Sequence, residues 1–273
     1  MAMEIVLYFV VQSERQERKE IMNHAKWIAH FTRNRAHRPE PDWASPVLLK
    51  PGIPRPLVRS IEQFRLGDGG GPASLIAFDA ERFRSSSEEM RTIVDLWFAE
   101  EAEHARLLGC AVERFHGRRI TSHWSFTAFC LCRRFLGVRF ELQVLLLTEL
   151  VSTAYYRLMR NHSPDGALTA VCELILRDEA GHVAFHRDRL ADGDGSAGGI
   201  PGAVWAAQFW FFGFAAAAML WVNHRPGLTS IGGTRGEYFR EVRRQLQRFI
   251  FSLRRATAPI RIRAKWAVAT PSH

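Results

Sequence analysis

Two pairs of side chains in this sequence have the types and spacing to grip a metal ion: Glu101 with His104, and Glu179 with His182. On an α-helix, residues i and i+3 share a face about one turn apart, so a carboxylate and an imidazole can close on the same cation. The carboxylate has a second oxygen to lend to a neighbouring ion, while neutral imidazole supplies a nitrogen ligand. A lone Glu-x-x-His is weak on its own, and the sequence holds a third, Glu113 with His116. That pair starts twelve residues past Glu101, about 120° round the same helix. It is assigned to the surface or the helix end, with no ligand role.

The elements that carry these residues are read from helical periodicity and turn signals. Ser85-Ser86-Ser87 breaks a long periodic stretch, and Ser86 with Glu89 forms a capping box that opens the next helix. Gly117 stops that helix. Residues 118–137 then cross over, a helix runs from near Phe140 to Arg160, and Ser163 with Pro164 starts another that reaches about Leu190. An earlier helix covers Ile53 to Leu66. The glycines at 67 and 69–71 with Pro72 predict a kink or break there, the element resuming at Ala73.

Depth along the helices distinguishes chemistry from coincidence. Glu179 lies 13 residues after Gly166 and Glu149 lies 12 before Asn161. Glu101 lies 14 residues after Ser87 and Asp68 lies 17 before Ser85. At the helical rise all four sit about 18–25 Å from their turns, hence at one level. Around Glu149 the shared face carries Leu142, Leu145, Leu146 and Tyr156. A carboxylate on such a stripe must be neutral, paired or metal-bound. A pair on each of two helices, with one carboxylate from each of two others, is the arrangement of a dinuclear site in a helix bundle.

With these residues in hand, the chain resembles the ferritin-like di-iron carboxylate superfamily. It is similar to bacterial ferritin-like domain proteins through Phe64-Arg65-Leu66-Gly67-Asp68, Ala99-Glu100-Glu101 to His104, and Arg177-Asp178-Glu179 to His182. Residues 100–104 and 178–182 are also similar to motifs of acyl-carrier-protein desaturases and rubrerythrins. The resemblance covers residues 55–190. It implies an all-α fold, a ferritin-like four-helix bundle over 53–191, with a helical extension at 1–52 and an apolar helix and basic tail over 192–273. It implies Asp68, Glu101 and His104 around one metal, and Glu149, Glu179 and His182 around the other, with Glu101 and Glu179 as bridges. Asp178 is implied as acceptor for a ligand histidine's ring N–H. His186 is an extra ligand, a proton donor or a core residue. Glu62 is the alternative to Asp68, because most relatives have Glu at that position.

The implied cofactor is two Fe ions, with Mn or a mixed Fe/Mn pair accepting the same ligands. The implied activity is an oxidoreductase that activates dioxygen or peroxide, served by an external electron donor. Iron oxidation for storage or detoxification stays open, as does a non-enzymatic bundle docking on a membrane or an acidic partner.

Two features outside the motifs bear on partners. The formal charge is +9, and residues 225–273 carry eleven basic side chains, Arg225 to Lys265, against Glu237 and Glu241. The whole excess lies there and suits a membrane surface or an acidic carrier protein. Residues 203–222 hold one strongly polar side chain, Gln208. This segment fits a fifth helix buried on the bundle, a homodimer interface or an in-plane membrane anchor better than a span, because the positive-inside rule would place the metal domain outside. The combination admits a lipid or carrier-bound acyl substrate. The four cysteines form no Cys-x-x-Cys, which excludes a rubredoxin-like or zinc-ribbon site. With no basic leader at the N-terminus, the expected location is cytoplasmic, with membrane association left open.

Overall fold

The computed structural model describes residues 22–50, 53–70, 74–76, 87–135, 137–192 and 199–257, which are predominantly helical with no strand among them. In chain order the helices are α1 (His24–Ala36), α2 (Pro54–Arg65), α3 (Glu88–Arg114), α4 (Trp124–Phe135), α5 (Gly137–His162), α6 (Gly166–Asp192), α7 (Gly199–Ser230) and α8 (Arg235–Thr257). The all-α expectation holds. The expected breaks move in instructive ways.

Helix α2 ends in a π-type turn, Leu66–Gly70, where Asp68 and Gly69 leave helical geometry. Gly69 has φ +115°, and a Cβ there would lie 2.9 Å from the Glu101 carbonyl oxygen. The kink expected from the glycines is therefore a close approach to α3, and it delivers Asp68 beside Glu101. Leu75 and Ile76 are not helical, while Ala73, Ser85 and Ser86 lie outside the described residues. The capping residue of α3 is Ser87, whose Oγ accepts from the Met90 N–H at 3.1 Å.

At the far end of α3 the left-handed residue is His116 (φ 58°), not Gly117. The Gly117 N–H closes the terminus on Val112 O at 2.8 Å, as in a Schellman motif. The crossover expected over 118–137 contains a helix of its own, α4. Helix α6 is capped by Asp165 rather than Ser163: Oδ1 accepts from the Leu168 N–H at 3.0 Å. Asp165 is fully buried and ion-paired with Arg114 at 3.0 Å, so the cap also ties the α5–α6 turn to α3.

Helices α2, α3, α5 and α6 surround an interior in which Leu57, Ile61, Leu107, Leu146, Leu150 and Ile175 are essentially inaccessible. Helix α1 lies outside α3 and α6. It seats Trp27 and Phe31, one turn apart, against Phe185 with ring centroids 5.7 and 6.2 Å away. It comes close because residue 181 of α6 is Gly; a Cβ there would collide with the His30 ring. After α1 the chain runs as a strap along α3. Arg106 holds Glu40 at 2.7 Å, and Arg114 donates to the carbonyls of Trp43 at 2.6 Å and Ser45 at 2.8 Å.

Helix α7 lays one face on the bundle. Phe209 stacks on Phe249 of α8, Trp221 on Tyr238, and His224 Nδ1 lies 3.0 Å from Ser60 Oγ of α2. Burial, with a smaller contribution from the charge of His123, pushes the His224 pKa down to about 3. The segment expected over 203–222 is longer than read, and its opposite face is exposed. Thr234 and Glu237 open α8 with a reciprocal capping box, the Thr234 N–H donating to Glu237 Oε2 at 2.9 Å and the Glu237 N–H to Thr234 Oγ1 at 3.2 Å.

Two stability tests follow from this geometry. Gly69→Ala should lower the unfolding free energy by about 1–3 kcal/mol through strain at positive φ and the clash with α3, whereas Gly67→Ala, with open space around it, should cost far less; equal losses in thermal melts would disprove the close approach. Because His224 has a folded pKa below its unfolded value of about 6.5, the unfolded chain binds more protons between those values. Its contribution is complete above about pH 6.5 and is lost as pH falls toward 3, by up to about 1.4 kcal/mol per pH unit. His224→Gln should therefore show a shallower fall of melting temperature between pH 6.5 and 4 than the parent.

Candidate metal centre

Helices α3 and α6 each bring an acidic doublet followed by a histidine: Glu100-Glu101 with His104, and Asp178-Glu179 with His182. Helix α5 adds Glu149, and the turn after α2 adds Asp68. The i, i+3 spacing sets Glu101 and His104 on one face, with His104 Nδ1 3.7 Å from Glu101 Oε2. In the equivalent pair on α6, His182 Nδ1 is 3.8 Å from Glu179 Oε2. The same Nδ1 lies 3.0 Å from Glu101 Oε1 and 3.1 Å from Glu149 Oε2. Glu101, Glu149, Glu179 and His182 each present a ligand atom within 4.8 Å of the others, and this group could hold a metal ion.

The outer nitrogens of the two rings are exchanged between the helices. His104 Nε2 of α3 meets Asp178 Oδ2 of α6 at 3.2 Å, and His182 Nε2 of α6 meets Glu100 Oε2 of α3 at 3.0 Å. A carboxylate acceptor holds a proton on Nε2 and leaves the Nδ1 lone pair as the one turned inward. His104 Nδ1 is buried with no hydrogen-bond partner among the described residues, and Glu179 Oε2 is orphaned in the same way. Orphaned buried atoms of ligand type beside the same group of acids are what a cation would satisfy. The donor set therefore fits a metal.

The electrostatics agree. Burial works against charge on both histidines, yet Asp178 and Glu101 raise His104 to about 9. Glu149 and Glu100 raise His182 well above its usual value. Burial and the neighbouring Glu149 push Glu179 far up. Burial and Glu101 raise Asp68 to about 7. Burial would also raise Glu101, but its contacts with His104 and His182 win and hold it well below the usual carboxylate range. Protons thus stand where a cation would otherwise supply positive charge.

The sequence-predicted residues fall into three groups. Glu101, Glu149, Glu179 and His182 converge as expected. His104 and Asp68 border the same space without joining the tightest group: the Asp68 carboxyl accepts a short hydrogen bond from Tyr156 OH and lines the cavity with Glu101, Glu149 and Glu179. Glu62 is elsewhere, accepting from the Arg118 N–H at 2.9 Å. Asp178 Oδ2 stands 3.2 Å from His104 Nε2. His186 is fully buried, its ring 5.0 Å from that of Trp97 and its Nδ1 3.3 Å from Arg189 Nη2, outside the ligand group. His116 and Glu113 are exposed at the helix end, Glu113 pairing with Arg119.

Three residues were missed. Glu100 repeats on α3 what Asp178 does on α6, and the matching acidic doublets were the available signal. Tyr156 shares the face of Glu149, seven residues on. Arg38, on the strap, gave no signal. Its Nη2 lies 2.6 Å from Asp178 Oδ2 and 3.5 Å from Glu100 Oε1, ion pairs by distance rather than aligned hydrogen bonds. One guanidinium thus serves both carboxylates that orient the histidines. A cavity of 50 Å³ opens beside the acids, walled by Trp97, Phe98, Phe129, Leu145 and Arg133. That is room for a few water-sized molecules.

No protein-family model, no curated protein and no solved structure matches this chain. The reading of the site rests on its own geometry.

Cobalt(II) titration followed by visible absorption tests that geometry. Glu101→Ala and Glu179→Ala should abolish tight uptake, and Glu100→Gln or Asp178→Asn should weaken it about 10–100-fold by releasing a ring. Glu62→Gln should leave it unchanged. Uniform affinity across the set would place the cation elsewhere.

Proposed function

We propose that the chain is a ferritin-like di-iron oxidoreductase acting with dioxygen or peroxide. One observation carries this reading: two histidines, each anchored at Nε2 by a carboxylate of the opposite helix, turn Nδ1 into a buried cluster of acids. Asp68, Glu101 and His104 would hold one ion; Glu149, Glu179 and His182 would hold the other, with Glu101 and Glu179 between them. Two irons in such a ligand set supply redox equivalents and open positions for a small oxidant. Manganese, alone or with iron, satisfies the same donors.

The chain's own residues have defined tasks. Glu100 and Asp178 fix ring orientation, and Arg38 neutralises that pair. Tyr156 donates to Asp68 and sets the direction of its carboxyl, while Trp97 Nε1 donates to Glu101 Oε1 at 3.2 Å. Phe98, Phe129 and Leu145 form an apolar part of the cavity wall, and low-dielectric surface strengthens the electrostatic interactions beside it. The small cavity favours a few-atom partner over a lipid or carrier-bound acyl chain. Electrons come from a separate donor protein, since the sequence offers no second redox motif.

A second reading has a specific support. Four acids, Asp68, Glu101, Glu149 and Glu179, line the cavity, a surface that suits Fe(II) as cargo to be oxidised and passed on.

Anaerobic loading with Fe(II), followed by metal analysis and dioxygen uptake at an electrode, decides the matter. Two irons per chain, and dioxygen consumption lost in Glu101→Ala and Glu179→Ala, are expected. One retained ion, or uptake unaffected by both substitutions, would refute a dinuclear centre. Repeated turnover with excess Fe(II) and no added reductant would move the assignment to the second reading.

A further inference from the structure

We propose that the outward face of α7, flanked by arginines of α8, is a docking surface for an anionic lipid bilayer, met in the plane of the membrane rather than across it. The stretch Gly202–Ser230 is long and apolar enough to cross a membrane, its most apolar eighteen-residue window having mean hydropathy 1.6, yet only 22% of that window is buried. A core helix would be covered; this one is covered on one side. Val204 is 53% exposed, Phe211 69%, Met219 42% and Val222 72%, with Phe212 and Phe214 also exposed. Helical spacing places these on one face, and the one strongly polar side chain among them is Gln208.

The bundle contacts argue against a span. The inner face of α7 is held by Ser60 of α2 at His224 and by Phe249 and Tyr238 of α8 at Phe209 and Trp221. Carrying α7 across a bilayer would either strip these contacts or take charged neighbouring helices with it. An in-plane helix keeps its packed face and immerses the other.

Charge selects the occupant. Phe239, Leu246 and Ile250 are on the side of α8 that turns toward the apolar core. Arg243 lies four residues from Phe239 and three from Leu246, and Arg254 four from Ile250, so both occupy the adjoining shoulder. Both are exposed, as are Arg240, Arg255 and Arg225 at the end of α7. The acids nearby are committed: Glu241 is buried between Arg157 and Arg244, and Glu237 caps α8. A second copy would bring another excess of arginine to the same face with no acidic row to meet it. Anionic headgroups supply that counter-charge, at roughly 1 kcal/mol per basic residue near the surface. Arg261, Arg263 and Lys265 extend the basic sequence past the described residues.

Full-length protein, metal-loaded and apo, should be floated with phosphatidylcholine vesicles and with 3:1 phosphatidylcholine–phosphatidylglycerol vesicles. Binding to the anionic vesicles is expected, weakening as salt rises. Arg243→Gln with Arg254→Gln should reduce affinity about 30-fold. Phe211→Ser with Val222→Ser should reduce it tenfold or more, with unchanged melting temperature because both side chains are exposed. Equal binding to neutral vesicles, or none to either, would overturn the proposal. So would an alkaline-carbonate wash that fails to release the protein, which would indicate a span. A stable dimer in light scattering that dissociates in the Phe211→Ser, Val222→Ser variant, with no vesicle binding, would assign the face to a second copy.

Discussion

Burying carboxylates together is the constraint from which the rest of this structure follows. Glu100, Glu149, Asp178 and Glu179 are each at most 6% exposed, and Glu101 and Asp68 share their space. Acids so close cannot all ionise in a poorly solvated interior without compensating positive charge. The chain provides part of it as two imidazoles and the guanidiniums of Arg38 and Arg177, and leaves Nδ1 of His104 and Oε2 of Glu179 without hydrogen-bond partners among the described residues. A cluster that incomplete is costly, and a cation bound there would offset the cost. The architecture is best understood as the means of holding that incompleteness steady.

Each supporting element contributes to that end. The exchange of histidine partners between α3 and α6 makes their relative position part of the site: neither helix can slide without freeing a ring on both. The π-type turn after α2 spends a glycine at positive φ to bring a carboxyl against the α3 backbone. Asp165 caps α6 and pairs with Arg114, while the same guanidinium holds the strap that carries Arg38. Local termini, long-range packing and the polar centre are therefore joined through a few side chains.

The helical half of this arrangement was legible in the sequence. Counting residues from turns located Glu101, Glu149 and Glu179 at one depth because α3, α5 and α6 are continuous through the site, so rise per residue translates into height. For Asp68 the count from Ser85 crosses residues outside the described ones, and its placement comes instead from the turn after α2, where Asp68 and Gly69 leave helical geometry. Its glycines signalled the break but not its purpose. Caps shifted by one or two residues because neighbouring side-chain oxygens are equivalent in sequence, and for α6 the pairing of Asp165 with Arg114 decides between Ser163 and Asp165. Arg38 could not be found by periodicity: it lies in an extended segment whose path is set by Arg106 and Arg114, far along the chain. The exposed side of α7 was equally hidden, because apolar composition does not say which face a neighbour will cover.

The strap gives the interior a lever that can be reached from outside. Residues 37–50 contain no helix, and they are held to the surface of α3 by Arg106 and Arg114, yet they insert one cation between the two acids that aim the histidines. Peeling that segment away would leave Asp178 with Arg177 alone and remove the cation shared with Glu100, so both rings would be less firmly held. A protease, or any binder that grasps the outer chain, would thereby act on the acids that aim the histidines without touching them.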